Sequence, residues 1–207
     1  LPKTQKYKPD VIAYYEKPFR KNLRRLYAGQ KWQKPRRKYD VYFSHHESHA
    51  AAGYYTAPFD ECNVLVIDAI GEWDTMSIWK GSVENGYLGQ KTHTLKKLSS
   101  WKYPHSLGLL YSAITQRIGL KPNEDEYITM GMAAFGDPKY DLENQLWENN
   151  HKGVGNIYPN ARPEDLAASI QDLYERELLK LVELCPHENL VIMGGCALNC
   201  VANSKIK

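Results

Sequence analysis

The stretch Asn63-Val64-Leu65-Val66-Ile67-Asp68-Ala69 admits few folds. Its apolar run is unbroken, so a strand built from it has no polar face to offer water and must be covered on both sides. A carboxylate directly after such a strand is costly unless it is paired or ligates a cation. In α/β sheets, the C-terminal ends of the strands are also where ligands bind. Asp68 is therefore a candidate ligand-binding residue, with a turn-capping Asp as the alternative. Glu72 and Asp74 follow and are read as exposed turn residues.

The segments around this strand predict its partners. Residues 74–82 and 87–98 read as two further strands, joined at Asn85-Gly86 by a type I′ hairpin, so that 63–98 forms an antiparallel meander. Residues 11–27 read as helical, with Pro18 as a kink or restart. Residues 38–43 read as a short strand. Ser44, with Glu47 three positions on, forms a capping box that opens a helix from His45 to about Thr56, ending before Pro58. Ser106 caps and Gly119 ends a helix over 106–119. Residues 123–136 read as another helix, 139–150 as a weaker one and 151–160 as a loop. Pro163 suits a first turn, and the apolar period from Leu166 through Cys185 predicts a long helix. A strand at 189–193, a Gly-Gly turn and a last helix complete the order. Periodicity alone supports mixed α/β. Three antiparallel strands followed by alternating helix and strand is the layout of an actin-like ATPase domain, the fold of sugar kinases and Hsp70. On that layout residues 1–60 are the remainder of a first lobe and 61–207 a second.

Charge is unevenly spread. Residues 1–39 carry thirteen Lys and Arg against two Asp and Glu, net +11, and the rest carries −8. A basic arm on an acidic body fits a phosphate-facing or nucleic-acid-binding segment, or a solvated helix face. Its Tyr, Phe and Leu content favours a packed helix. No apolar run approaches the roughly 20 residues that cross a bilayer. Four cysteines without a CxxC pair make neither a disulfide scaffold nor a zinc ribbon, and the expectation is a reducing, cytoplasmic compartment. The polar opening, without an initiator Met, is read as that of an excised or processed piece of a longer protein.

Two further constellations carry chemistry. His45 and His49 are four apart and share a helix face, the spacing by which two imidazoles chelate one metal ion. His46 points about 100° away. A polar helix surface is the alternative. Gly194 and Gly195 follow an apolar strand and let backbone amides approach a ligand such as a nucleotide phosphate or ribose, a plain tight turn being the alternative. Cys196 falls near a helix N-terminus, where its thiol pKa is expected to drop. It is read as a small packing residue.

The segments "HHESHAA", "VLVIDAIGEW", "YPHSLGLLYSAIT", "EYITMGMAAFGDP", "DLAASIQ" and "GGCALNCVANSKI" occur in the same order in O-carbamoyltransferases of the NodU/CmcH type. These enzymes carbamoylate nodulation factors and cephem or aminoglycoside antibiotics, and the chain resembles them over most of its length. The resemblance implies an actin-like domain similar to the metal-dependent domain of the threonylcarbamoyl-adenosine tRNA-modification enzymes. It implies that His45, His49 and Asp68 bind an iron-type metal, and the softness of that donor set also admits manganese or zinc. It implies that Gly194, Gly195 and Asn199 face carbamoyl-adenylate, made from carbamoyl phosphate and ATP. The expected partners are a small-molecule or sugar hydroxyl acceptor and an adenylate-forming domain in the same full-length chain, with no membrane and no nucleic acid as main partner. The sequence departs from the family pattern at Ile128, where members often have Lys. The family's opening strand and a further metal-ligating Asp are not found in it. A non-catalytic nucleotide- or RNA-binding module and a tRNA threonylcarbamoyl-transfer relative are the alternatives.

Overall fold

The computed structural model describes residues 9–34, 39–86 and 90–206. Six Lys and Arg of the basic arm, part of the second hairpin strand (87–89) and Lys38 of the 38–43 strand lie outside them. Strand β3 (Cys62–Ile67) is fully buried along its length, as its composition demands. Strands β4 (Asp74–Asn85) and β5 (Lys91–Lys102) extend it as an antiparallel meander, and β6 (Leu190–Met193) pairs with its other edge in parallel. The sheet order is β5-β4-β3-β6, a mixed α/β architecture with helices on both faces.

Alternation along β3 divides the core. Leu65 and Ile67 pack with Met76 and Ile78 of β4 and with the apolar faces of α3 (Leu107–Arg117) and α5 (Pro163–Glu183). Cys62, Val64 and Val66 face the other way, onto Ala50 and Tyr54 of α2 (His45–Thr56) and onto Trp79. The α5 period lies where the sequence placed it: Leu166, Ile170, Leu173, Tyr174, Leu178 and Leu181 are all buried. A short α4 (Glu126–Met132) runs into a 3₁₀ turn that stops at Gly136, and α6 (Cys200–Asn203) closes the order.

Four local readings are corrected. Residues 11–27 are not one helix. Ala13–Tyr14 form strand β1, parallel to β2 (Val41–Tyr42), and α1 begins at Pro18 and runs to Tyr27. Proline keeps the preceding Lys17 extended, at φ −95° and ψ 100°, so a helix can start there but not pass through. The hairpin is longer than a two-residue turn: Asn85 still pairs with Lys91, and the Gly86 N–H donates to the Gln90 carbonyl. The weak helix at 139–150 is a pair of 3₁₀ turns, Glu143–Trp147 and Asn150–Lys152, the second reaching into the segment read as loop. Glu72 is buried rather than exposed, and Asp74 is half-buried and paired with Lys97.

Helix α1 is packed, but by its polar residues. Asn22 and Arg24 are buried, whereas Phe19, Leu23, Leu26 and Tyr27 are exposed. The Asn22 amide clips the chain after the helix: Nδ2 donates to the Gln33 carbonyl and Oδ1 accepts the Gln33 N–H, each at 2.8 Å. Among the described residues, no helix is long and apolar enough to cross a membrane.

This packing reverses the usual ranking of substitutions. Asn22→Ala is expected to lower stability by about 1–3 kcal/mol through two lost hydrogen bonds. Leu23→Ala, at a residue 42% exposed, should cost less than about 0.5 kcal/mol. Urea unfolding of both variants checks this, and equal losses would mean that the apolar stripe anchors the helix.

Candidate metal centre

The first turn of α2 faces the carboxyl end of β3. The capping box forms as the sequence implies, the Ser44 N–H donating to the Glu47 carboxylate at 3.3 Å. It starts the helix where His45 and His49 project together toward Asp68, the first residue after β3. His45 Nε2 lies 2.7 Å from Asp68 Oδ2, His49 Nε2 lies 3.6 Å from the same oxygen, and the two imidazole Nε2 atoms are 3.1 Å apart. The other carboxylate oxygen, Oδ1, accepts the Ala69 N–H at 2.8 Å. Burial opposes ionisation of Asp68. Hydrogen bonds from His45 and His49 and the Ala69 N–H outweigh it and hold the carboxyl well below the usual carboxylate range.

The donor set fits one divalent ion. The three edges resemble those between neighbouring ligands that each sit about 2.0–2.2 Å from a shared ion. Two imidazoles and a carboxylate suit iron, manganese or zinc better than magnesium, which prefers oxygen ligands. Among the described residues these three side chains are the group of His, Cys, Asp or Glu whose donor atoms converge closely enough to hold an ion. His46 turns away, as its helical angle requires. It is buried, its Nδ1 lies 2.8 Å from Ser77 Oγ, and burial pushes its pKa down to about 4.

Close approaches fix the strand end. Gly194 has φ +96°, and a Cβ there would lie 2.2 Å from the Ile67 carbonyl oxygen, so only glycine lets β6 turn beside β3. A Cβ at Gly108 would lie 2.7 Å from Ala69 Cα, which brings the start of α3 against the same turn. Asp68 also lines a cleft of about 420 Å³, together with Ala69, with Gly108, Tyr111 and Ser112 of α3, with Asn123, Glu124, Glu126, Tyr127 and Met130, and with Gly195, Cys196 and Asn199. Gly194 packs on the strand and does not line it. Gly195 faces Asp68 Oδ1. The Asn199 amide is already engaged: Nδ2 donates to Gln171 Oε1, and Oδ1 accepts from Gln171 Nε2 and the Ala202 N–H. Among the described residues no Lys or Arg lines the cleft.

Cys196 is the packing residue expected, partly buried against the main core, but its thiol departs from the expected fall in pKa. The thiol lies against Gly108, and burial pushes its pKa up to about 12, so desolvation overrides any benefit from the short turn it opens. The residue that sequence reasoning missed is Glu72, hidden because nothing local distinguishes a buried loop carboxylate from a solvated one.

Comparison with known proteins bears on this geometry. A family model described as Carbamoyltransferase N-terminus matches residues 12–161 and 149–207. Protein sll1178 of Synechocystis is 36% identical over 203 residues, covering 80% of this chain and 32% of that protein. The nodulation protein NolNO of Sinorhizobium fredii is 28% identical over 191 residues, covering 80% of this chain and 27% of that protein. The nodulation protein NolO of Bradyrhizobium diazoefficiens is 26% identical over 191 residues, covering 79% and 33%. The chain thus spans about a third of the length of these relatives.

The burial of Cys196 has a direct readout. With a thiol raised to about 12, the thiolate is scarce at pH 8, and iodoacetamide should label the exposed Cys200 well before Cys196. Peptide mapping after brief labelling checks the order. Faster reaction at Cys196 would show a solvated, activated thiol.

Proposed function

The chain belongs to the carbamoyltransferase N-terminus family, and from that premise we propose that its strand-end cleft is the carbamoyl-transfer site of a longer O-carbamoyltransferase. The reaction moves a carbamoyl group from carbamoyl-adenylate, made from carbamoyl phosphate and ATP, to a hydroxyl of a small-molecule or sugar acceptor. The observation that carries the reading is the convergence of His45, His49 and Asp68, the last of which also lines that cleft.

His45 Nε2, His49 Nε2 and Asp68 Oδ2 would hold the ion, with iron the first choice and manganese or zinc behind it. Bound there, the ion would supply Lewis-acid polarisation of the carbamoyl carbonyl and stabilise charge that develops as the alcohol attacks. The chain's own residues set the stage. Asp68 stays anionic near neutral pH, and its second oxygen is tied to the Ala69 N–H, which leaves Oδ2 aimed at the imidazoles. Gly195 leaves the approach to Asp68 clear of a side chain. The Gln171–Asn199 amide pair braces the loop at the far wall.

The actin-like fold belongs to the same proposal, supported by the antiparallel meander and the parallel β6 that follows the helices. The division into 1–60 and 61–207 is likewise proposed. It has the two-stranded and four-stranded sheets on either side, while α2 comes from the first part and packs on the second. We also propose that the basic arm is structural or substrate-facing, since Arg24 is buried against the loop after β3.

Metal content is the test. His49→Ala and Asp68→Ala should each abolish iron or manganese bound per folded chain, measured by elemental analysis after reconstitution. In the full-length enzyme carbamoyl transfer should fall with it. His46→Ala should retain metal. Binding that survives the loss of His49 would overturn the site.

A further inference from the structure

We propose that Glu72 is the positioning residue of this centre, a buried carboxylate that holds α2 and the loop after β3 in register so that His45 and His49 meet Asp68. The inference rests on the metal reading above. Glu72 lies in the loop that starts with Asp68, and it is only 6% exposed. Its Oε1 accepts the backbone N–H of His45 at 3.2 Å and that of Lys17 at 2.6 Å. The first is a donor in the opening turn of α2, on a residue that itself supplies an imidazole to the triad. The second is on the residue that precedes α1. Helix N-termini leave such donors without intrahelical partners, so an acceptor of the right reach is needed there. Among the described residues no Lys, Arg or His forms an ion pair with Glu72, so these two donors are its visible compensation.

The loop is pinned at further points. The Glu72 carbonyl accepts from Arg24 Nε at 3.2 Å, and Arg24 is itself buried on α1. The Gly71 N–H donates to the Asp74 carbonyl at 2.8 Å. A Cβ on Gly71 would lie 2.9 Å from His46 Cδ2 and 3.1 Å from His45 Cβ, so the loop runs flush against the first turn of α2. The triad has two halves, imidazoles on a helix and a carboxylate on a loop. Glu72 bridges these halves at the backbone, four residues along the loop from the Asp68 contact. Through the same oxygen, α1 becomes part of the support. What matters in this arrangement is the reach of the acceptor, not its charge.

Three variants separate reach from charge. Glu72→Gln keeps the oxygen at the same length and drops the charge. Glu72→Asp keeps the charge and shortens the arm by one methylene. Glu72→Ala removes both. The probe is Mn(II), titrated into the metal-free protein against a fluorescent chelator, with amide hydrogen exchange at His45 and Lys17 followed in the metal-free state. Glu72→Gln should bind within about three-fold of the wild type, and Glu72→Asp about 10–100-fold more weakly, the range expected for residues that orient metal ligands. Exchange at both amides should quicken in Glu72→Asp and stay slow in Glu72→Gln. Glu72→Ala should follow Glu72→Asp. The reverse order, with Gln the damaging change, would assign the effect to charge and overturn the proposal, as would unchanged affinity and exchange in Glu72→Asp. If the wild type takes up no Mn(II), iron or zinc, the metal reading fails. The exchange pattern then still decides whether Glu72 holds the two backbones together.

Discussion

Everything near the candidate centre depends on the burial of β3 from both sides. Val64 and Val66 are closed off by α2, and Leu65 and Ile67 by α3 and α5, so the strand is fixed in the middle of three layers. A strand held this firmly delivers Asp68 to a defined point. The same two layers deliver the other participants. Helix α2 covers one face and carries His45 and His49 on its first turns, while the start of α3 comes from the other face and walls the cleft. The core and the site are two consequences of one packing arrangement.

The strand end is crowded, and glycine makes the crowding possible. Gly108 admits α3 to the Ala69 backbone, Gly71 admits the loop to His45 and His46, and Gly194 lets β6 turn beside the Ile67 carbonyl. This gives the Gly-Gly segment a packing role that stands beside any ligand role: Gly194 serves the strand and Gly195 the cleft. The same crowding desolvates the Cys196 thiol, and at Asp68 two imidazoles and a backbone N–H outweigh the cost of burial.

Legibility in the sequence followed the range of the interaction. Helix α2 was readable to its ends because Ser44, Glu47 and Pro58 act within a few residues. Helix α3 was readable through Ser106, whose hydroxyl accepts the Leu109 N–H, and Gly119, at φ +91°. The His45–His49 spacing was visible because a helix turns the same way everywhere. Misreadings came where partners are distant. Tyr14 and its neighbours looked helical, yet pair with β2 almost thirty residues on. The exposed apolar stripe of α1 looked like its buried face, but Asn22 and Arg24 hold the helix through Gln33 and the loop after β3.

By itself the sequence determined a mixed α/β chain, a strand covered on both faces, the helices that flank it and the family it resembles. Those follow from hydrophobic period, capping and motif order, all written locally. Only the tertiary structure decided that Asp68 shares one oxygen between two imidazoles, that Asn199 spends its amide on Gln171, and that Glu72 is buried beneath two helix ends. The physical reason is desolvation. Whether a carboxylate, an amide or a thiol is solvated, paired or enclosed depends on which distant backbone closes over it, and that closure has no local signature.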